Sequence, residues 1–414
     1  MYCECSKESK IIYTLAISRG FYMLGYCVFA TVANILVFQF TQSGAGIAVL
    51  LALKNIPVIV IGIFAGTIVD NTKKSVLIGF SLIVQAVLAF SLLFAKRAVD
   101  LYIIVFLYMV VHSFYKPAQS VVKPIMLNEK TLLKVNSVIM VIEEITTITA
   151  SVLIGSIFAN AYILLNIFGT ICLLFAGISV LLIILPIERK KYNLIYKGPE
   201  FPKIQTGFLK ETFDGWKYLI TNKYLLVLAF VVALIWLGLG SFSSIQILFV
   251  AEALHLPEHY VGYSEAIISI GNILGYLLAP YAVHLLITKR KEILLMGLGY
   301  LLGGIALCIM GNISNIVLII VALCIYATGY GFSNTIEETL EQTLPEEKYL
   351  GKCISIISSI GTIGYLLGSI GGPLLTDFLY VGYVVEISAF ITIVTGIIIL
   401  KNTNRLVKDD SYEG

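Results

Sequence analysis

The sequence predicts an all-α membrane protein of twelve transmembrane helices, arranged as two pseudo-symmetric six-helix bundles. Three observations carry this: an apolar composition, a count of long apolar runs, and an internal repeat. Of 414 residues, 58% are hydrophobic and only 13% charged, and the mean hydropathy is +0.94. A soluble chain of this length exposes more surface than so few charges can cover.

Twelve apolar runs are long enough to cross a hydrocarbon core of about 30 Å at about 1.5 Å per residue. They lie near 11–39, 45–70, 75–95, 101–122, 136–159, 161–186, 224–249, 259–286, 292–311, 314–336, 353–375 and 380–400. Helices satisfy their own backbone in lipid, and the alternation of barrel strands is absent. The first run is too long for a signal-peptide core and has no clear small-residue cleavage site, so it is expected to stay as a spanning helix. Cys27, Cys172, Cys308, Cys324 and Cys353 fall in or beside apolar runs and read as small apolar side chains. Cys3 and Cys5 offer only two ligands on a terminus, so no metal site and no cofactor are expected.

Placement of charge sets the expected orientation. With both termini in the cytoplasm, 24 of the 28 Lys and Arg fall on that side, Lys73, Lys74, Lys116 and Lys123 among them. Only Lys96 and Arg97 then fall outside, with Arg19 and Lys54 within the membrane. A multi-pass protein of the plasma (cytoplasmic) membrane is the expectation.

The polar stretch 188–223 divides the chain into 1–187 and 224–414, six runs each. It begins as a basic, Gly/Pro-broken linker. Phe208, Leu209, Phe213, Trp216 and Leu219 then recur at helical spacing, predicting an amphipathic helix on the cytoplasmic membrane face. The two halves repeat. EKTLLKVNSVI (Glu129 to Ile139) set over EKYLGKCISII (Glu347 to Ile357) gives six identities in eleven at an offset of 218 residues. The same offset pairs Lys73 with Lys291, Gly79 with Gly297 and Phe114 with Phe332, which marks a duplicated six-helix unit.

Between the second and third runs lies GTIVDNTKKSVLIG (Gly66 to Gly79), a charged turn too tight to be a loop. It resembles the signature G-x-x-x-D-[RK]-x-G-[RK]-[RK] of the major facilitator superfamily, the match resting on Gly66, Asp70, Lys73 and Lys74. The resemblance implies two bundles rocking about a central site, with this turn as a cytoplasmic latch in which Asp70 caps a helix of the opposite bundle and pairs with basic groups in the outward-open state. Asn71 stands where a basic residue is usual, and the loop is one residue shorter, without its glycine. QTLPEEKYLGKCISI (Gln342 to Ile356), KPAQSVVKPIMLNEKTLLKVNSV (Lys116 to Val138) and LKETFDGWKYLITNKYL (Leu209 to Leu225) resemble the macrolide-efflux and siderophore-exporter branch. In the fifth run, TITASVLIGSIF (Thr147 to Phe158) keeps Gly155, Ala150 and Ser151 but lacks the Gly-Pro pair of many antiporters, so export rests on the branch resemblance.

Charges in lipid point to what drives transport, since each costs at least about 2.5 kcal/mol and needs a partner or a task. Arg19 in the first run and Glu143 or Glu144 in the fifth stand at a common depth, and adjacent glutamates point about 100° apart, so one of the two can face Arg19. The pair reads either as proton coupling or as a static brace. His112 is a further candidate for handling protons. Lys54 is a candidate contact for an anionic substrate, and Tyr22, Tyr26 and Tyr326 are candidate cavity residues. Glu265 and Glu386 fall in the outer halves of their runs, while Glu337, Glu338 and Glu341 read as a solvated cytoplasmic face.

GLGYLLGG (Gly297 to Gly304) sits in an apolar run with no Lys-Ser/Thr after it, so it reads as helix packing and not a phosphate loop. No nucleotide motif and no nucleophile with its base is present, so the chain is not expected to be an enzyme. The expected function is proton-coupled efflux of small amphipathic compounds (drug, antibiotic or siderophore-like). A lipid flippase of the same fold and a facilitator of solute uptake remain alternatives. The expected partners are a small-molecule substrate, protons and the lipid bilayer, with no nucleic acid and a monomeric chain.

Overall fold

A computed structural model describes residues 2–156, 161–188, 190, 207–257, 260–284, 289–313 and 315–402. The described helices are α1 (Tyr2–Thr41), α2 (Gly44–Asp70), α3 (Lys74–Ser91), α4 (Ala98–Met126), α5 (Glu129–Ser156), α6 (Tyr162–Ser179), α7 (Phe208–Thr221), α8 (Lys223–Leu248), α9 (Tyr260–His284), α10 (Lys289–Gly311), α11 (Ile316–Thr343), α12 (Leu350–Thr376) and α13 (Val381–Lys401). Wider π turns extend α6 through Val180–Ile184 and α8 through Phe249–Ala253. Among the described residues twelve helices are long and apolar enough to cross a membrane, all but α7. Prolines inside α2, α4, α9 and α12 do not end them, because neighbouring helices and local adjustments re-satisfy the freed carbonyls in lipid.

The duplication is visible in the packing. In the first half α1 packs on α6, α3 on α6 and α4, and α2 on α4. In the second half α8 packs on α13, α10 on α13 and α11, and α9 on α11, the same pairing helix for helix. The chain forms two compact units. Unit 1 takes residues 1–135, 142–216 and 346–359, and unit 2 takes 136–141, 217–345 and 360–414. Within unit 2, α8 and α12 meet backbone to backbone, since a Cβ added at Gly364 or Gly368 would run into the carbonyls of Ala233 and Leu237. Small residues permit that approach where lipid supplies no hydrophobic drive between helices.

Three placements differ from those read in the sequence. Lys116 and Lys123 were counted with the cytoplasmic cations, but α4 continues to Met126, so Lys116 lies ten residues inside its helix and Lys123 is buried. Glu337 is not on a solvated face: it is 3% exposed and accepts a hydrogen bond from the Tyr300 hydroxyl at 2.5 Å, which meets the cost of burying it. The apolar residues of α7 do not form one stripe. Thr212, Gly215 and Leu219 are buried, and Phe208 stacks on Phe64 at 6.2 Å, while Leu209, Phe213 and Ile220 are exposed on the other side.

Candidate functional site

The candidate site lies in unit 1 and has two parts, an intramembrane charged and aromatic cluster and a clasp at the α2–α3 turn. The cluster is built on α1, α4 and α5. Spacings of three and four residues put Arg19 near Tyr22 and Tyr22 near Tyr26 on α1, and His112 beside Tyr115 and Lys116 on α4. Arg19 Nε donates to Glu143 Oε1, and Arg19 Nη1 donates to the Tyr115 hydroxyl at 3.2 Å. The guanidinium also lies over the rings of Tyr22 and Tyr115, at 4.9 and 5.6 Å from their centroids, an arrangement that offsets desolvation of the charge. Tyr22 Oη is 3.0 Å from His112 Nδ1, and the Tyr26 ring stacks on both Tyr22 and His112. One packed cluster therefore joins the Glu143 carboxylate and Arg19 to the His112 ring, by hydrogen bonds at its two ends and by the Tyr22 ring face in between.

Of the two adjacent acids, Glu143 is the one that meets Arg19, as the 100° between neighbours requires. Lys54 lies apart from this cluster and donates to Asn34 Oδ1 at 3.0 Å. Tyr326 belongs to unit 2, where it is 4% exposed and sits edge-on to Phe242 at 5.4 Å in an apolar core. Tyr22 is likewise nearly fully buried, so its ring acts as wall more than as surface.

At the turn, α2 ends in Asp70, whose carboxylate accepts from the backbone N–H of Gly351 at 2.7 Å and of Lys352 at 3.2 Å. It thus caps the first turn of α12, where unsatisfied N–H groups and the helix dipole favour an anion. Gly66 has the same explanation: a Cβ there would strike the backbone of Gly351 and Lys352, and a Cβ at Gly351 would strike Asp70. Both positions must be bare for the cap to form. Lys74 Nζ donates to the carbonyls of Asp70 and Thr72, at 3.0 and 3.1 Å, closing the C-terminal end of α2 with a cation.

Sequence reasoning did not find the rest of the clasp. Lys352 Nζ stands 3.9 Å from both Asp70 Oδ2 and Glu211 Oε2, so one ammonium answers two carboxylates. Asn71, at the position where the resembled signature is basic, donates to Glu211 at 3.0 Å and so ties the turn to α7. Thr212 of α7 meets Thr67 at 2.9 Å. Lys73, at the N-cap position of α3, provides no side-chain cap. Glu188, 114 residues away, supplies it by accepting from the N–H groups of Lys74 and Ser75 at 2.9 and 3.0 Å and from the Ser75 hydroxyl. Nothing local in the sequence announces Glu188 or Glu211, because each works on a segment distant in the chain.

Residues 15–347 match the Major Facilitator Superfamily. The chain belongs to the major facilitator superfamily. As a member it is a secondary transporter of small molecules and not an enzyme. It is 24% identical over 357 residues to macrolide efflux protein A of Streptococcus pyogenes, covering 83% of this chain and 84% of the relative. To the uncharacterized MFS-type transporter YfmI of Bacillus subtilis it is 24% identical over 404 residues, covering 94% and 95%. Among solved structures, a bacterial homologue of the iron transporter ferroportin in its outward-facing state superposes with a TM-score of 0.74 at 18% identity, covering 94% of this chain and 98% of that one. That likeness places this major facilitator chain in the fold, twelve helices in two bundles.

Proposed function

We propose that this transporter exports small amphipathic compounds in exchange for protons, with Glu143 as the acid that gains and loses the proton. The observation that carries the reading is the Arg19–Glu143 pair, set against the Tyr115 hydroxyl and the Tyr22 ring, with the Tyr22 hydroxyl 3.0 Å from His112. An ion pair inside lipid is stable only while both partners remain charged. A proton arriving at Glu143 discharges it and frees Arg19, and that difference between two charge states is what an alternating-access cycle needs to favour one conformation over another. The likeness to macrolide efflux protein A supports export. The Asp70 clasp on α12 supports a gate whose closed form is held by a helix cap.

The test is proton movement in liposomes holding the purified chain, wild type against Glu143→Gln, while a panel of lipophilic antibiotics and dyes is added. Proton release on addition of a compound in wild type, and its loss in Glu143→Gln, is expected. If no compound moves protons while Glu143→Gln only melts earlier, the pair is a brace and the reading fails.

A further inference from the structure

At the end of unit 2 where α8 and α10 finish and α13 begins, the outer end in the expected orientation, lies a cavity of about 260 Å³. A single water needs only about 10–15 Å³ of such volume, so there is room for a molecule. The π turn Phe249–Ala253 brings α8 to it, α10 brings its last residue Gly311 with Asn312 just beyond, and α13 brings Tyr383 and Glu386, with Tyr380 at its N-cap. No Lys, Arg or His is among its lining residues.

Two bare positions make the space. A Cβ at Gly311 would lie 3.3 Å from Glu386 Cγ, and a Cβ at Gly382 would lie 2.7 Å from Tyr380 Cε1. Each would also lie 3.1 Å from the other glycine's carbonyl oxygen, so the end of α10 and the start of α13 meet backbone to backbone.

The lining favours positive charge in several ways at once. Glu386 stands five residues into α13, about 7.5 Å along the helix, where a carboxylate carries a cost that asks for a partner or a task. Among the described residues none hydrogen-bonds to it or pairs with it. Tyr380 and Tyr383 stand edge-on, with centroids 5.9 Å apart and planes at 83°, and so form a corner of two aromatic rings in the same lining. Ring faces attract cations. The C-terminal ends of α8 and α10 both reach the cavity, and such ends carry partial negative charge on their free carbonyls. The start of α13 has the opposite polarity, but there the Tyr380 carbonyl already takes the Tyr383 N–H at 2.9 Å. Asn312 spends its side-chain nitrogen on the Cys308 carbonyl at 3.0 Å, which leaves Oδ1 as a further acceptor.

Tyrosines near a membrane boundary commonly serve as anchors, and an anchor needs no acid beside it. The fold does not need one either. At the offset of 218 residues, Glu386, Tyr383 and Asn312 correspond to Phe168, Leu165 and Phe94, so the first half builds the same helix pairing with apolar side chains at all three positions.

We infer that this cavity binds an organic ammonium group, with Glu386 as its counter-charge and the Tyr380 and Tyr383 rings as its walls. The site belongs to unit 2 and does not rest on the proton-exchange reading, whose acid belongs to unit 1. A hard metal ion calls for several oxygen ligands close together, and the lining brings one carboxylate. An alkylated ammonium gains from ring faces as well as from the acid. Its source is a free solute or the headgroup of a lipid.

The test is equilibrium binding of radiolabelled choline to the full chain in dodecyl maltoside, an uncharged detergent. The competitors are neohexanol, which is the uncharged carbon analogue of choline, sodium chloride and diheptanoylphosphatidylcholine. Saturable choline binding that neohexanol and sodium fail to displace is expected. Affinity should fall about fivefold or more in Glu386→Gln. It should fall about threefold in Tyr383→Leu and stay within about twofold in Tyr383→Phe. Glu252→Gln removes an exposed acid of the π turn that is outside the lining, and should leave affinity unchanged. Should Glu386→Gln not fold, the two Tyr383 variants decide. No saturable binding, equal competition by neohexanol, or an equal loss in Glu252→Gln and Glu386→Gln overturns the inference. Displacement by sodium at the concentration of unlabelled choline overturns it in favour of a metal ion. Displacement by the phosphatidylcholine at lower concentration than by unlabelled choline supports it with a lipid headgroup as the source, and the reverse order supports it with a free solute.

Discussion

At Arg19 one guanidinium holds a carboxylate, a phenol and two aromatic faces. Removing one partner of such a pair leaves the other charge uncompensated, which costs about 3 kcal/mol when burial is deep and less here, where the side chains are 14% and 23% exposed. Glu143→Gln is therefore expected to lower the melting temperature of the purified chain, and Arg19→Gln with Glu143→Gln to recover most of it. Proton coupling should stay lost in both, and its return in the double variant would separate Glu143 from the coupled proton. The sequence showed the depth match between Arg19 and the acids, because helical rise is fixed. It did not show Tyr115, which needs the packing of α1 on α4. Nor did it show the burial of Glu337 by Tyr300, because a charged residue near a helix end reads as solvated until its neighbour on another helix is known.

Between elements, the clasp depends on a cap and two missing side chains. Losing a helix N-cap costs about 0.5–2 kcal/mol, so Asp70→Ala should open the start of α12 about two- to thirtyfold more often. Cys353 reports it, being fully buried one residue beyond the capped N–H groups. In a chain whose other six cysteines are replaced, Asp70→Ala is expected to speed maleimide labelling of Cys353 by that factor. Gly66→Ala, which pushes α12 away sterically, should do the same, and unchanged labelling in both would show that the cap holds nothing shut. The turn itself was legible, since Gly66, Asp70, Lys73 and Lys74 keep a recognisable spacing. The part played by α7 was not. Its helical period was plain, yet which apolar side chains pack inward depends on Thr67 and Phe64 across the contact.

For the whole molecule, twelve spans were readable because lipid leaves a chain few options, and the repeat was readable because duplication keeps its offset. The equal pairing of helices in the two halves is the structural form of that offset. Transport by such a fold has no chemical fuel in the chain. In cells expressing it, a protonophore is expected to stop extrusion of a substrate dye at once, while ATP depletion with the proton gradient held should leave extrusion running. Extrusion that survives the protonophore would point to a different driving ion.

Lys352 is shared between Asp70 and Glu211, and Glu211 rides on a helix whose Leu209, Phe213 and Ile220 are exposed. Apolar side chains so placed anchor a helix in the boundary between headgroups and acyl chains. A displacement of α7 carries Glu211 with it and changes the share of the lysine's attraction left to Asp70. The cap on α12 and the seating of an amphipathic helix thus draw on one ammonium.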